Sequence, residues 1–191
     1  GSNVINSIGA LHHLKKNDQK TNPKLVTCII GGHNKHYYFN EKEANALCEK
    51  ISEIKKNKSD IELSIITSRR TSSLVKKIIY EKLNDIANVW IGDGNNPYKE
   101  SIQNSSFFIV TSDSTSMISE AAISGKPIYV YHLTFKRKSK RIEKFHKEFS
   151  DLGITKDIKN IIHLSNWSYN SLNESDRIAR IIKNKIIEEK I

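Results

Sequence analysis

Short apolar runs alternate with amphipathic segments along most of this chain. The apolar runs predict strands, and the segments between them repeat apolar residues at helical spacing. The predicted strands cover 25–30, 62–67, 88–91, 106–111 and 127–131; the predicted helices cover 41–56, 72–84, 98–104, 114–124, 141–151 and 172–190. Strands that alternate with helices of this length predict parallel βαβ units. Right-handed crossovers then predict an α/β fold, a Rossmann-like doubly wound parallel sheet with helices on both faces.

The domain organisation predicted from this pattern has three parts. Residues 25–170 form the Rossmann-like domain, and 171–191 form a C-terminal helix. Residues 1–24 precede the first strand: Gly1-Ser2 look like a cloning remnant. The stretch "NVINSIGALHHL" predicts a strand end and a helix turn that belong to a neighbouring domain. We therefore expect the chain to be a fragment of a longer protein.

The charge balance of the chain indicates which classes of binding partner to expect. The formal net charge is +10, which favours acidic partners such as phosphates, nucleotides or anionic lipid. The densest basic run is "KRKSKR", Lys136 to Arg141. It is either a solvated loop or a patch for an anionic membrane surface or substrate phosphates. Basic residues are otherwise spread without an aromatic platform, so nucleic-acid binding is not expected.

Cofactor and compartment signals are sparse. Cys28 and Cys48 form no CxxC pattern, which predicts buried thiols in a reducing compartment. No apolar run approaches a membrane span, so we expect a cytoplasmic protein, either free in the cytoplasm or peripheral to a membrane. His33 and His36 lack a carboxylate or cysteine partner, and no metal site is predicted. The fingerprint GxGxxG is absent, which argues against an NAD-dependent epimerase or reductase and predicts no cofactor.

The loops that follow the predicted strands are unusually polar. In a doubly wound sheet, ligands bind beyond the carboxyl ends of the strands. Here those ends read, in chain order, "GGHNKHY", "TSRRTSS", "GDGNNPY" and "TSDSTSM". Their convergence at one edge predicts a binding site for a polar ligand.

The loop "TSDSTSM" predicts an anion site. A helix that begins near Ser114 leaves its first N–H groups unpaired and places partial positive charge there. Small hydroxyl side chains let a phosphate or diphosphate approach. Capping by Asp113 or Ser114 is the alternative, but six consecutive polar residues exceed what one cap requires. Glu120 lies on the same helix face as Ser116; it either binds vicinal hydroxyls, as in a ribose, or is simply solvated.

Three other loops carry candidate binding residues. The pair Gly31-Gly32 lets backbone approach a ligand closely. The pair Arg69-Arg70 suits phosphate or carboxylate, or is a surface pair. In "NNPY", Pro97 excludes the helical conformation at the preceding residue, so that Asn96 and Tyr98 either contact a base or form an ordinary turn.

Taken together, the motifs resemble one known family. The segments "GALHHL", "IGGHNKHY", "ITSRRTSS", "GDGNNPY", "VTSDSTSMISEAAISGKPIYV" and "KRIEKFHKEF" are similar to the mitochondrial fission ELM-type family, from about residue 3 to 153. Members of that family resemble GT-B glycosyltransferases, in which two Rossmann-like domains face a cleft. The resemblance implies that this chain is the C-terminal half, which binds the nucleotide-sugar donor, and that its partner is a missing N-terminal domain.

The same resemblance implies a donor-binding set. Glu120 would hold the donor ribose, while the helix start and the glycine loop would hold the diphosphate. The full set is Gly31, Gly32, Asn34, Ser68, Arg69, Arg70, Asn96, Pro97, Tyr98, Ser112, Asp113, Ser114, Thr115, Ser116 and Glu120. The catalytic residues are unknown; the general base is expected from the missing domain, with His12 a weak candidate. The alternative is a non-catalytic GT-B-like adaptor that recruits partners at a membrane surface.

Overall fold

A computed structural model describes residues 4–16 and 21–188. Its strands form one six-stranded parallel sheet in the order β3-β2-β1-β4-β5-β6. The strands are β1 (Asn22–Ile30), β2 (Glu62–Thr67), β3 (Asn88–Trp90), β4 (Ser105–Thr111), β5 (Ile128–Tyr131) and β6 (Thr155–Asp157). The helices are α1 (Glu41–Asn57), α2 (Ser73–Leu83), α3 (Tyr98–Asn104), α4 (Thr115–Ala122), α5 (Lys140–Asp151) and α6 (Glu174–Glu188). The predicted fold class, a Rossmann-like doubly wound sheet, is confirmed.

Hydrophobic cores lie on both faces of this sheet. Successive residues of a strand point to opposite faces, and β1 shows the consequence. Cys28 and Ile30 pack with the buried side of α1 and α2. Ile29, between them, packs on the other face with α4 and with Phe149 of α5. A strand that is buried on both faces carries a continuous apolar run, which is why the run was visible in the sequence.

The strand β6 was not predicted from the sequence. β6 pairs in parallel with β5 at the edge of the sheet, over only three residues, Thr-Lys-Asp. Lys156 and Asp157 are exposed, so this edge strand shows no apolar run of its own. Its two flanking residues, Ile154 and Ile158, supply the buried contacts.

The helix α4 ends two residues earlier than predicted. Ser124 Oγ donates to the carbonyl of Ala121 and accepts a hydrogen bond from the Lys126 amide, at 2.7 and 3.1 Å. Gly125 then takes a positive φ of 69°, the left-handed conformation that commonly ends helices. The chain therefore leaves the helix through a local side-chain network, which apolar periodicity does not report.

The strand end and helix turn predicted for the first residues are not found. Residues 4–16 contain neither helix nor strand, and they pack on this domain. The amides of Ile8 and Ala10 donate to Glu174 and Ser119, at 2.8 and 2.9 Å. The His12 amide donates to Ser175 Oγ at 3.0 Å. Because these N–H groups bond to side chains of α4 and α6, the segment has no regular backbone pattern of its own.

Both cysteines are free and buried, as predicted. Burial raises the pKa of the Cys48 thiol to about 11 and that of Cys28 further. Since the thiolate is the reactive species, these side chains serve as small apolar core groups.

Candidate ligand-binding site at the carboxyl edge of the sheet

A cavity of about 600 Å³ lies outside the carboxyl ends of β1, β2 and β3, beside the start of α4. The order of strands reverses between β1 and β4, and a doubly wound sheet opens a crevice at that point. The sequence-predicted residues that line the cavity are Ser68, Arg69, Arg70, Asn96, Tyr98, Asp113, Ser114, Thr115, Ser116 and Glu120. The structure thus brings three of the four polar loops together around one space.

The remaining predicted residues, Gly31, Gly32, Asn34, Pro97 and Ser112, do not line this cavity. Asn34 Oδ1 accepts from the amides of His36 and Tyr37, at 2.8 and 3.0 Å. Ser112 is fully buried and accepts from the Leu133 amide at 3.1 Å. These side chains shape the loops from behind, and a direct contact with a ligand stays a prediction.

Asp113 ties the loops of the site together. Its side chain is fully buried. One oxygen accepts from the Gly32 amide at 2.9 Å and pairs with Arg70 at 3.1 Å. The other accepts from the Thr111 hydroxyl at 2.7 Å. Burial raises the pKa of the Asp113 carboxyl, while these donors work against that shift.

The glycine pair is required for close approach of three loops. A Cβ on Gly31 would overlap the Asp113 carboxylate, and one on Gly32 would overlap the Arg70 backbone. The Gly31 amide donates to Thr111 Oγ1 at 2.8 Å, and the Gly32 amide is held by Asp113. Both amides are therefore used within the chain, and contact of this pair with a ligand stays a prediction.

The N-terminal end of α4 faces the cavity. Ser114 is the capping residue, and its Oγ accepts from the Met117 amide at 3.4 Å. Asp113 does not cap, because its carboxylate points to Gly32 and Arg70. Thr115 and Ser116 line the cavity, and their N–H groups belong to the first turn, which has no intrahelical acceptor. The helix dipole adds partial positive charge at this point.

The two arginines have different environments. The Arg70 side chain is 43% exposed and is paired with Asp113. Arg69 is exposed and has no ion pair among the described residues. Arg69 therefore keeps its full charge for a ligand, whereas Arg70 is partly neutralised by the protein.

Glu120 is held in place by Tyr98. The Tyr98 hydroxyl donates to Glu120 Oε2, and burial together with this carboxylate raises the pKa of Tyr98, so the hydroxyl stays protonated. Within residues 4–16 and 21–188, the other oxygen of Glu120 accepts no hydrogen bond. One carboxylate oxygen is thus oriented in the cavity with its hydrogen-bonding capacity unused.

Sequence reasoning missed five residues of the lining, which are Ile29, Ile66, Thr67, Trp90 and Met117. Four of them are the last or next-to-last residues of their strands. The principle that ligands bind at carboxyl ends could have identified them, but all four fall inside the predicted strands 25–30, 62–67 and 88–91 and were not included in the binding set. Met117 is on the first turn of α4.

His146 lies behind the site on α5. Its Nε2 bonds to the carbonyl of Ser112 at 3.0 Å, directly before Asp113 in the chain. Burial, together with neighbouring His132, lowers the pKa of His146 to about 4. The imidazole is therefore neutral near pH 7, and Nε2–H donates to the loop that carries the buried carboxylate.

This lowered pKa predicts a pH dependence of stability. The unfolded chain gains the proton near the ordinary value of 6.5, and the folded chain does so only near 4. Unfolding thus becomes easier as pH falls through that interval. Between pH 7 and 4.5, the wild type should lose about 2 kcal/mol more unfolding free energy than His146→Gln, measured by urea denaturation. The glutamine keeps an N–H for Ser112, and His163→Gln, at an exposed position, is the control. If the wild type and His146→Gln lose the same unfolding free energy over this pH range, the imidazole of His146 is not held neutral in the folded chain.

Two solved proteins are similar to the chain in fold. UDP-GlcNAc 2-epimerase from Neisseria meningitidis, solved bound to UDP-GlcNAc, matches with a TM-score of 0.52 and 17% identity, over 84% of this chain and 37% of that one. A putative UDP-N-acetylglucosamine 2-epimerase from Listeria monocytogenes matches with a TM-score of 0.50 and 15% identity, over 85% and 37%. These likenesses support a GT-B-like fold, and fold alone does not fix function.

Sequence comparisons identify the family. The chain is 37% identical over 179 residues to the uncharacterized protein RP120 of Rickettsia prowazekii (strain Madrid E), which covers 86% of this chain and 48% of that protein. It is 33% identical over 128 residues to the mitochondrial fission protein ELM1 of Arabidopsis thaliana, covering 64% and 29%. The chain thus spans about half the length of the first relative and less of the second. The family model for mitochondrial fission ELM1 matches residues 1–186. The chain therefore belongs to the mitochondrial fission ELM1 family.

Proposed function

We propose that this chain is the C-terminal, donor-binding half of a GT-B-type, glycosyltransferase-like protein, and that its ligand is a nucleotide sugar. One observation carries the proposal: a single cavity joins an end suited to a diphosphate with an end suited to a ribose. The fold likeness to an epimerase solved with UDP-GlcNAc supports the same class of ligand.

The diphosphate end consists of the first turn of α4 and the arginine loop. Thr115 and Ser116 offer first-turn N–H groups and hydroxyls. Arg69 adds an unpaired guanidinium whose fork suits phosphate oxygens. The same groups stabilise negative charge that develops on a departing diphosphate. This electrostatic contribution does not depend on a metal ion.

The ribose end consists of Glu120 and Tyr98. A carboxylate oxygen with unused capacity suits a ribose hydroxyl, which donates to it. Tyr98 fixes the other oxygen, so the acceptor geometry is formed before the ligand arrives. The general base for sugar transfer is assigned to the N-terminal part of the longer protein, the second proposed partner of this half.

The affinity for nucleotides after removal of the Arg69 charge tests the proposal. Arg69→Ala should weaken binding of UDP, GDP or ADP by about tenfold, since it removes one charge-assisted hydrogen-bonding group. It should leave binding of the corresponding uncharged nucleoside unchanged. Calorimetry at fixed salt measures both, with Arg180→Ala on α6 as the matched control. Loss of nucleoside affinity in parallel, or no effect of Arg69→Ala, would contradict the diphosphate assignment.

A basic surface loop favours a second candidate function, that of an adaptor at an anionic membrane. The amides of Lys136 and Arg137 donate to the His36 carbonyl, at 2.8 and 3.1 Å. Tyr37 stacks on Phe135 with ring centroids 4.5 Å apart. These contacts fix the basic run of residues 136–141 on the protein surface, where its lysines and arginines are exposed. No helix among the described residues is long and apolar enough to cross a membrane, so this contact would be peripheral.

Vesicle sedimentation distinguishes this candidate. Replacing Lys136, Arg137 and Lys138 with alanine should reduce binding to anionic vesicles by more than about tenfold, because each basic residue near such a surface contributes about 1 kcal/mol. Phosphatidylcholine vesicles are the control for charge. Binding that does not respond to anionic lipid content would exclude the adaptor surface.

A further inference from the structure

A second cavity, of about 360 Å³, lies beside the first. Thr115, at the start of α4, lines both spaces, so they meet at the end of the helix where partial positive charge is concentrated. The proposed donor site uses one side of this helix terminus. The other side opens between α5 and the N-terminal segment, formed here by residues 7–10.

The N-terminal segment makes a preformed wall. Its amides are fixed by Glu174 and Ser119, at 2.8 and 2.9 Å. Gly9 has a φ of 74°, and a Cβ at this position would overlap Ser119 Oγ and the Phe149 ring. The segment therefore lies tightly on α4 and α5, and the cavity does not depend on ordering a loose terminus.

The α5 wall carries unpaired charge. Arg141 and Lys144 line the cavity, are exposed, and have no ion pair among the described residues. Glu148 is the one acidic side chain in the lining and likewise has no ion pair in that part of the chain. Two cations against one carboxylate, together with the helix terminus, give the cavity a positive balance that favours an anion.

The same wall is partly apolar. Ile142 is buried and Phe145 is half-buried, and both line the cavity. A small inorganic anion would leave these side chains unused. A ligand that carries an anionic group and an apolar group would contact both kinds of wall.

We propose that the second cavity binds a phosphate monoester that carries an apolar group. A guanidinium fork and an ammonium group, beside the positive end of α4, attract a phosphate dianion more strongly than a singly charged carboxylate. Its position beside the donor cavity makes this ligand the acceptor substrate. That role rests on the proposed function, whereas the ligand chemistry does not. The phosphate belongs either to a water-soluble ester or to a lipid headgroup.

Amide chemical shifts of the isotope-labelled chain locate the site. Hexyl phosphate should shift the amides of Ala10, Thr115 and Lys144, and bind at least about tenfold more tightly than inorganic phosphate or hexanoate. Arg141→Ala with Lys144→Ala should weaken it by about tenfold or more. Arg180→Ala with Lys183→Ala removes the same charge from exposed positions of α6 outside both cavities and should change it by less than about twofold. Thermal melts of the variants confirm that each is folded.

A second arm separates the two sources of the phosphate. If the ester is a lipid, phosphatidylcholine vesicles that contain phosphatidic acid should bind the wild-type chain. They should not bind the variant with Arg141→Ala and Lys144→Ala. Retention that the cavity variant does not alter, together with the hexyl phosphate result, assigns a soluble ester.

The outcomes are distinct from those for the donor site. Equal weakening of hexyl phosphate by both double variants would overturn the proposal, as would shifts confined to Trp90 and Glu120 in the first cavity. Binding of hexyl phosphate without any nucleotide binding would support this site and count against the donor site alone. Nucleotide binding without hexyl phosphate binding would do the reverse.

Discussion

Asp113→Ala should lower the free energy of unfolding by about 3 kcal/mol, measured by urea denaturation near pH 7. The buried carboxylate accepts from the Gly32 amide and the Thr111 hydroxyl and pairs with Arg70. Alanine leaves the buried Gly32 N–H without an acceptor and opens a cavity where three loops meet. Because Arg70 is 43% exposed, its charge can turn to solvent, and it adds less than a fully buried partner would.

A surface ion pair supplies the matched control. Asp151→Ala breaks the Lys147–Asp151 pair, whose side chains are mostly exposed, and should cost less than about 0.5 kcal/mol. If the two substitutions cost the same, Asp113 would not be the group that joins the loops. Asp113→Asn keeps the volume and should fall between them, because its amide can accept from only part of the donor set.

Glu120→Ala should weaken binding of a nucleoside diphosphate roughly tenfold to a hundredfold, since a hydrogen bond to a charged group contributes about 1.5 to 3 kcal/mol. The effect should be large because Tyr98 orients the carboxylate before binding, and no ordering cost is left for the ligand to overcome. Tyr98→Phe should produce a smaller loss, through orientation alone. Calorimetry measures all three affinities.

Glu100→Ala is the control for this second prediction. Glu100 is exposed on α3, the helix that also carries Tyr98, so its removal changes the local charge without touching the cavity. Equal losses from Glu100→Ala and Glu120→Ala would show that long-range charge, and not a contact with the ligand, sets the affinity.

The sequence predicted the central features of this fold because its strands are buried on both faces. A run such as Leu25 to Ile30 is apolar except for Thr27, and parallel order then follows from the helices between such runs. The carboxyl-end rule placed Arg69 and Ser114 at one cavity, and helix periodicity from Ser116 placed Glu120 beside them, with no knowledge of side-chain positions. That rule depends on topology alone, which is why it held.

The hydrogen-bonding partners of individual polar groups could not be predicted from the sequence. Asp113 was expected to cap a helix or hold a ligand, yet it bonds to Gly32, 81 positions away. The glycine pair lies against Arg70 and Asp113, which are contacts that the sequence did not predict. The N-terminal segment follows side chains of α4 and α6. Such contacts join residues that are distant in the chain, so no local pattern can reveal them.

The central claim is that one cavity holds the ribose and the diphosphate of a nucleotide. The most direct measurement compares UDP, GDP and ADP with their 2′-deoxy forms by calorimetry, on the wild type and on Glu120→Ala. The wild type should bind the nucleotide of one base preferentially and should bind its ribose form about tenfold more tightly than its 2′-deoxy form. Glu120→Ala should bind the two forms alike. A folded sample that binds none of them, or a Glu120→Ala variant that keeps the full ribose preference, would contradict the central claim.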